Sequence, residues 1–472
     1  QYQEEESSPE DLAKIPVLKR TDISREIAPI YNDELEIGGV KLVHHNIETN
    51  GIGYVTMMFD LSGIREELLP YVGILQSVLG IIDTTNYEYG ELFNEINIHT
   101  GGIGTSLELY TDVTKVKEKE FRATFEMRGK ALYPKMDVLF SMMREILMES
   151  RLDDEKRLKE ILAMLKSRLL ASFLSSGHTT AALRALSYTS PMSKFKDDTD
   201  GIGFYEAVKK IEEDFDGQKE TLIRNLKEIA RRIFRADNLM ISYTSSEEGI
   251  EPMTKAFAAV KDSLYTGGEI PDEACILHCR KRNEGFKTSS KVQYVARVGN
   301  FIDGGQKYSG TLQILKVILG YDYLWQNIRV KGGAYGCMSN FNRIGDAYLI
   351  SYRDPNLERT MEVYEGVVDY LKNFNVSDRD MNKFIIGTMS SLDRPMNPAA
   401  KGARSMNLYM NRVSEEMIRS ERGQILDAQQ EDIRALADVV KAMLDQNLLC
   451  VIGSEEKIEE QKDMFLEVKT LS

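Results

Sequence analysis

Arg329 and Tyr335 stand six residues apart in the run Leu324-Trp325-Gln326-Asn327-Ile328-Arg329-Val330-Lys331-Gly332-Gly333-Ala334-Tyr335-Gly336. A guanidinium offers several donors on a fixed planar cation, and a phenol offers one hydroxyl on a rigid ring. Both suit a substrate carbonyl oxygen that gains negative charge during a reaction. The residues before them read as the end of an amphipathic helix, stopped by Gly332 and Gly333. Having no Cβ, these two glycines, with Ala334 beside them, leave backbone open to close approach by an extended peptide. A plainer reading competes locally: a helix C-cap with a surface arginine and a half-buried tyrosine. Downstream, in Ser351-Tyr352-Arg353-Asp354-Pro355-Asn356, the last three residues read by themselves as a helix start, with Asp354 as N-cap and Pro355 in the first helical position.

Other chemistry finds less support. The five histidines are His44, His45, His99, His178 and His278. None stands in an H-x-x-E-H or H-x-x-x-H spacing, so no helix offers two imidazoles on one face to a zinc ion. Cys275-x-x-His278-Cys279 is a metal-like cluster without a fourth ligand or a second paired motif; a linker with buried thiols is the favoured reading, and a metal site in an unrelated pair of domains is the weaker alternative. Gly101-Gly102-Ile103-Gly104 lacks the Lys-Ser/Thr ending of a phosphate loop, and no G-x-S-x-G elbow occurs.

The elements that must hold the Arg/Tyr segment belong to a chain of 472 residues with 42% hydrophobic content, enough for two domains with their own cores. Sixty Lys and Arg against 74 Asp and Glu give a net charge of -14, which argues against a nucleic-acid partner. No apolar run is long enough to span a membrane and no signal peptide is visible at the start, so a cytoplasmic protein is expected. The start on Gln1 reads as that of a fragment or processed product. Four cysteines are too few for a disulfide framework.

An internal repeat sets the organisation. Asn238-Leu239-Met240-Ile241-Ser242-Tyr243 is echoed by Asn447-Leu448-Leu449-Cys450-Val451-Ile452, each a short apolar strand leading through a turn to an acidic helix start. Gly73 to Gly80 is echoed by Gln313 to Gly320, and Gly101-Gly102 by Gly332-Gly333. The echoes keep their order, which implies an α+β chain of two homologous α/β domains, each a sheet covered by helices. The expected division is 1–31 a connector, 32–264 the first domain, 265–283 a linker and 284–472 the second domain, which carries the Arg/Tyr loop. Strands are expected at Val40–Val43, Tyr54–Phe59 and Val292–Val298, and helices at Lys135–Glu149, Glu155–Leu174 and Lys209–Phe234.

An arginine six residues before a tyrosine, with Gly-Gly-Ala between and Ser-Tyr-Arg-Asp-Pro-Asn after, resembles the C-terminal half of the presequence-protease and falcilysin branch of the insulinase-like zinc peptidases. Further likeness lies in Ile15–Ile23, Leu68-Leu69-Pro70-Tyr71-Val72, Thr100-Gly101-Gly102-Ile103, Asn283-Glu284-Gly285-Phe286 and Pro398–Gly402 near Met406, so it runs along almost the whole chain. The resemblance implies the insulinase/LuxS-metallohydrolase-like fold, four related domains in a full-length protein, and two halves closing around short unstructured peptides. It also implies that zinc belongs to an N-terminal catalytic half. In this chain the places of the zinc ligands and base fall on Ile74, Ser77 and Val78, which hold no metal. Tyr335 would then donate to the oxyanion, Arg329 would fix the substrate backbone, and Gly332 and Gly333 would let the peptide approach as an added strand. A competing reading is a non-catalytic peptide-binding or scaffold subunit, as in the processing-peptidase branch.

Overall fold

The structure is a computed structural model and describes residues 8–14, 18–266 and 276–471. Its twelve strands are β1 (Asp33–Ile37), β2 (Val40–Asn46), β3 (Ile52–Asp60), β4 (Ile103–Tyr110), β5 (Arg122–Leu132), β6 (Leu239–Ser245), β7 (Glu284–Thr288), β8 (Tyr294–Asn300), β9 (Gly336–Phe341), β10 (Asp346–Tyr352), β11 (Leu448–Ser454) and β12 (Glu467–Thr470). They form two six-stranded mixed sheets, ordered β1-β2-β6-β3-β5-β4 and β12-β7-β11-β8-β10-β9. In both, five strands share one topology: β2 with β6 and β7 with β11 are the parallel pairs, and the remaining neighbours of that five-strand set run antiparallel. The sheets differ at the outer strand. β1 makes a hairpin with β2, whereas β12 returns from the far end of the chain to lie parallel to β7.

The echoed segments occupy matched places. β6 and β11 are buried along their whole length, because central strands covered on both faces need near-continuous apolar runs. The helices Leu69–Val78 and Thr311–Tyr321 each follow the first long strand of their sheet, and each glycine pair leads into an edge strand. Gly102 and Gly333 both take a left-handed backbone, with φ of 105° and 80°.

Each repeat lends a helix to the other. The helix Glu155–Leu186 packs on β8, β10 and β11 of the second sheet, so its Leu165, Leu169, Phe173, Ala181 and Ala185 share one core with Phe286, Ala296, Val298 and Ile452. In return Pro398–Met410 lies on β2 and β6, where Met406 meets Val43, Met58 and Met240, and the missing Cβ of Gly402 admits Thr244.

Glu155–Leu186 runs twelve residues beyond the end that the Ser/Gly/Thr cluster suggests, with a kink at Ser176 (φ -130°, ψ 30°). The kink frees the Leu174 carbonyl, which the Tyr294 hydroxyl caps at 2.5 Å, and Gly177 makes room for that ring. The helix expected over Lys209–Phe234 is broken at Asp214 into Ile202–Glu213 and Phe215–Ile233. The helix expected to start at Asp354 begins only at Glu358. The Asp354 carboxylate instead accepts the Asn356 N–H at 2.9 Å and the Thr360 hydroxyl at 2.6 Å.

Two polar knots tie the repeats together. Arg184, on the crossing helix, donates to Glu284 through Nε at 2.6 Å and through Nη2 at 2.9 Å, and to Asp197 at 2.5 Å, with all three side chains buried. Tyr188 and Lys469 add donors to Glu284 at 3.1 and 2.8 Å.

The second knot borders a cavity of about 30 Å³, where the buried Asp346 accepts from Asn300 Nδ2 at 2.8 Å and Ser190 at 3.2 Å, near Lys119 and Asp303. Burial pushes the Asp346 carboxyl up to about 6. A carboxyl raised in the folded state costs stability increasingly as pH rises from its unfolded value near 4 through 6. Asp346→Asn keeps a carbonyl for Asn300. It should raise the unfolding free energy by about 2 kcal/mol at pH 7 and change it little at pH 4, as read by denaturant titration at both values.

Candidate active-site loop

The loop between Thr311–Tyr321 and β9 is built on a wide π-type turn, Trp325–Val330, of a kind often found at functional sites. The Lys331 N–H reaches the Gln326 carbonyl at 3.0 Å, the Gly333 N–H the Arg329 carbonyl at 2.9 Å and the Ala334 N–H the Ile328 carbonyl at 3.1 Å. Gly332 is required, because a Cβ there would strike the carbonyls of Ile328 and Asn327. Its own carbonyl accepts from Asn356 Nδ2 at 2.6 Å, so the Asp354-Pro355-Asn356 turn clamps the loop. Ala334 is buried beneath it.

The backbone donors of Gly333 and Ala334 point into the turn and that of Tyr335 is taken by the Tyr352 carbonyl at 3.0 Å. These three N–H groups are thus paired within the chain, and the sheet edge continues along β9.

The loop brings Arg329 and Tyr335 together on the surface. The Arg329 guanidinium carbon lies 4.1 Å from the Trp325 ring centre and 5.7 Å from that of Tyr335. Such stacking holds a guanidinium plane in place while leaving its N–H edges free. Tyr335 is 66% exposed, and its ring meets Tyr352 edge-on at 5.7 Å. Tyr352 in turn touches His178 at 4.8 Å and Tyr294 at 5.7 Å. The second repeat's loop thus leans on the kinked helix of the first.

His178 escapes a sequence reading because it sits in a small polar cluster and reaches the loop only through the crossing of Glu155–Leu186. Burial holds its pKa below the usual histidine value. In the first repeat the positions at the same offsets from the glycine pair hold Ile98 and Gly104, so that copy has no such cation and phenol.

The remaining candidates do not gather at this site. His44 and His45 are buried on β2, bonded to Ser245 and to Ser242 and the Tyr31 carbonyl, and burial pushes His45 down to about 4. His278 pairs with Glu66 at 2.7 Å, while Cys275 of the same cluster lies outside the described residues. Among the described residues no group of three or more His, Cys, Asp or Glu side chains is placed to hold a metal ion. Ile74 and Val78 are fully buried and the Ser77 hydroxyl is spent on the Gly73 carbonyl, so these three side chains do not fit a zinc ion. No helix among the described residues is long and apolar enough to cross a membrane.

Comparison with known proteins agrees with this architecture. Among solved structures, the fold matches a protease from Helicobacter pylori (TM-score 0.59, 14% identity, 90% of this chain and 99% of that one). It also matches a peptidase M16 inactive domain from Pseudomonas fluorescens (TM-score 0.58, 13% identity, 90% and 97%). In sequence, the chain is 38% identical to Protein HypA of Clostridium perfringens over 99% of its own length and 48% of that protein. It is 28% identical to presequence protease 1, chloroplastic/mitochondrial, of Arabidopsis thaliana (99% and 43%) and 26% identical to the mitochondrial presequence protease of Xenopus laevis (91% and 44%). The chain spans about half the length of these relatives. The family of regions associated with peptidase M16, subfamily C, matches residues 1–211, and the family described as "PreP C-terminal domain" matches residues 283–455, so the chain belongs to the presequence-protease-like subfamily C of the peptidase M16 family.

Proposed function

We propose that this chain is the non-zinc-binding C-terminal half of a metalloendopeptidase that degrades short unstructured peptides, and that it supplies Tyr335 and Arg329 to a substrate held against a separate catalytic half. The observation that carries this reading is the exposed Arg329–Tyr335 pair at 5.7 Å, fixed by Trp325 and Tyr352 and without a counterpart in the first repeat. The Tyr335 hydroxyl donates to the scissile carbonyl oxygen as negative charge builds on it. Arg329, stacked on Trp325, donates to a neighbouring backbone carbonyl and fixes the peptide's register. The edge strand β9 beside the loop supplies free backbone groups for an extended chain. Among the described residues zinc finds no donor set, and the ion is assigned to the catalytic half.

The test compares the purified chain with the full-length protein on an unfolded peptide. The chain alone should fold, bind no stoichiometric zinc and cleave nothing, while the full-length protein cleaves and stops when zinc is chelated. A full-length protein that binds peptides without cleaving them would instead favour a scaffold or peptide-binding subunit, and chelator-sensitive cleavage by the chain alone would end the half-enzyme reading.

A further inference from the structure

A chain of ring and cation contacts runs from the loop to the end of β10: Trp325, Arg329, Tyr335, Tyr352, Arg353. The last step, from the Tyr352 ring centre to the Arg353 guanidinium carbon, is 5.6 Å. Arg353 sits in the left-handed region at φ 49°, which residues with a side chain rarely adopt. It is held there by the next residue. The Asp354 N–H donates to the Gln293 carbonyl at 2.8 Å, the Gln293 N–H returns a bond to the Asp354 carbonyl at 2.7 Å, and Gln293 is fully buried. The Tyr335 N–H also approaches the Arg353 carbonyl at 3.4 Å, so the two residues are fixed to each other through the backbone.

Arg329, Lys331 and Arg353 are all exposed, and among the described residues none has a carboxylate within 4.0 Å. Asp354 is adjacent in sequence, but its carboxylate is turned inward to Thr360 and Asn356. In a chain of net charge -14, exposed cations on this loop and at the strand end beside it, without a carboxylate within 4.0 Å among the described residues, leave room for an anion from outside.

We infer that Arg353 is a specificity-determining residue that takes a peptide carboxylate close to the scissile bond. The inference rests on the reading of Tyr335 given above. Two ring steps put the Arg353 guanidinium at most about 11 Å from the Tyr335 ring, about three residues of extended chain. A carboxylate at that distance is either an acidic side chain or the chain end of a short peptide. Arg353 would grip either one by charge-assisted hydrogen bonds.

The test uses the full-length protein and one peptide sequence in two pairs: Asp against Asn at positions up to three residues from the scissile bond, and a free C-terminus against its amide at the same distance. In the wild type at least one pair should favour the carboxylate by about three- to tenfold in kcat/KM, mostly through KM, and the pair that does so identifies the source. Arg353→Asn, chosen because Asn tolerates the left-handed backbone, should bring that ratio to about one, and Arg353→Lys should restore part of it. Raising salt toward 1 M should shrink the wild-type ratio, a reading that does not depend on any variant folding. A wild-type ratio near one in both pairs, a ratio indifferent to salt, or a ratio unchanged in a folded Arg353→Asn would overturn the inference. Tyr335→Phe separates the two claims. If it loses turnover while the carboxylate ratio is one, only the role of Arg353 fails; if it keeps full turnover, the site itself fails.

Discussion

Tyr335→Phe in the full-length protein should lower kcat by about 10² to 10³, the usual cost of losing one donor to a developing oxyanion, or roughly 3 to 4 kcal/mol of transition-state stabilisation. The ring and its edge-on contact with Tyr352 survive the change, and the hydroxyl has no hydrogen-bond partner within the chain among the described residues. Thermal stability and zinc content should therefore stay near wild type. Arg329→Ala should differ in kind. It removes a contact made by the bound peptide as well as by the transition state, so KM should rise along with the fall in kcat. Single-turnover kinetics on a short peptide, with chemistry shown to be rate-limiting, checks both. Wild-type turnover in Tyr335→Phe would reduce the residue to packing.

The largest expected effect on stability lies at the knot between the repeats. Arg184→Met should cost about 3 to 5 kcal/mol, because it strands the buried carboxylates of Glu284 and Asp197 with much of their compensation gone. Burial alone would push Glu284 up, but its bonds to Arg184 and Lys469 outweigh burial and bring it down to about 2. A carboxyl depressed in the folded state contributes stability that is fully present above its unfolded pKa, near 4.5, and is lost as pH falls toward 2. The gap between wild type and Arg184→Met should thus be widest at neutral pH and shrink between about pH 4.5 and 2. Denaturant unfolding across that range measures it. A gap that stays constant with pH would mean that the loss comes from packing of the arginine stem and not from its charge.

Much of this fold could be read from local pattern. β6 and β11 were legible because fully covered strands carry unbroken apolar runs, and the glycine pairs because a left-handed backbone before an edge strand demands them. Arg329 and Tyr335 were legible as a pair because one loop carries both. What local pattern missed lies where tertiary contacts decide. Glu155–Leu186 continues through Ser176 and Gly177 because Tyr294, far along the chain, caps the carbonyl that the kink exposes. Asp354 has every local mark of a helix cap, but its carboxylate serves a turn that clamps Gly332. Arg353 and His178 gain their places only in the fold: the pairing of β10 with β9 brings Arg353 toward Tyr335 by way of Tyr352, and the crossing helix sets His178 against Tyr352.

The exchange of helices between the repeats has a consequence for how such a duplication is inherited. Copies that merely sit side by side can be shuffled, lost or borrowed one at a time. Here the apolar inner face of the second sheet is roofed by residues that precede it by a hundred positions or more, and Pro398–Met410 returns the favour to the first. Cutting the gene between the copies would strip each of its lid, so selection acts on the pair as a single heritable block. The residues beside Tyr335 show the same interdependence at the scale of a few side chains, since the ring that flanks it rests on a histidine from the other copy.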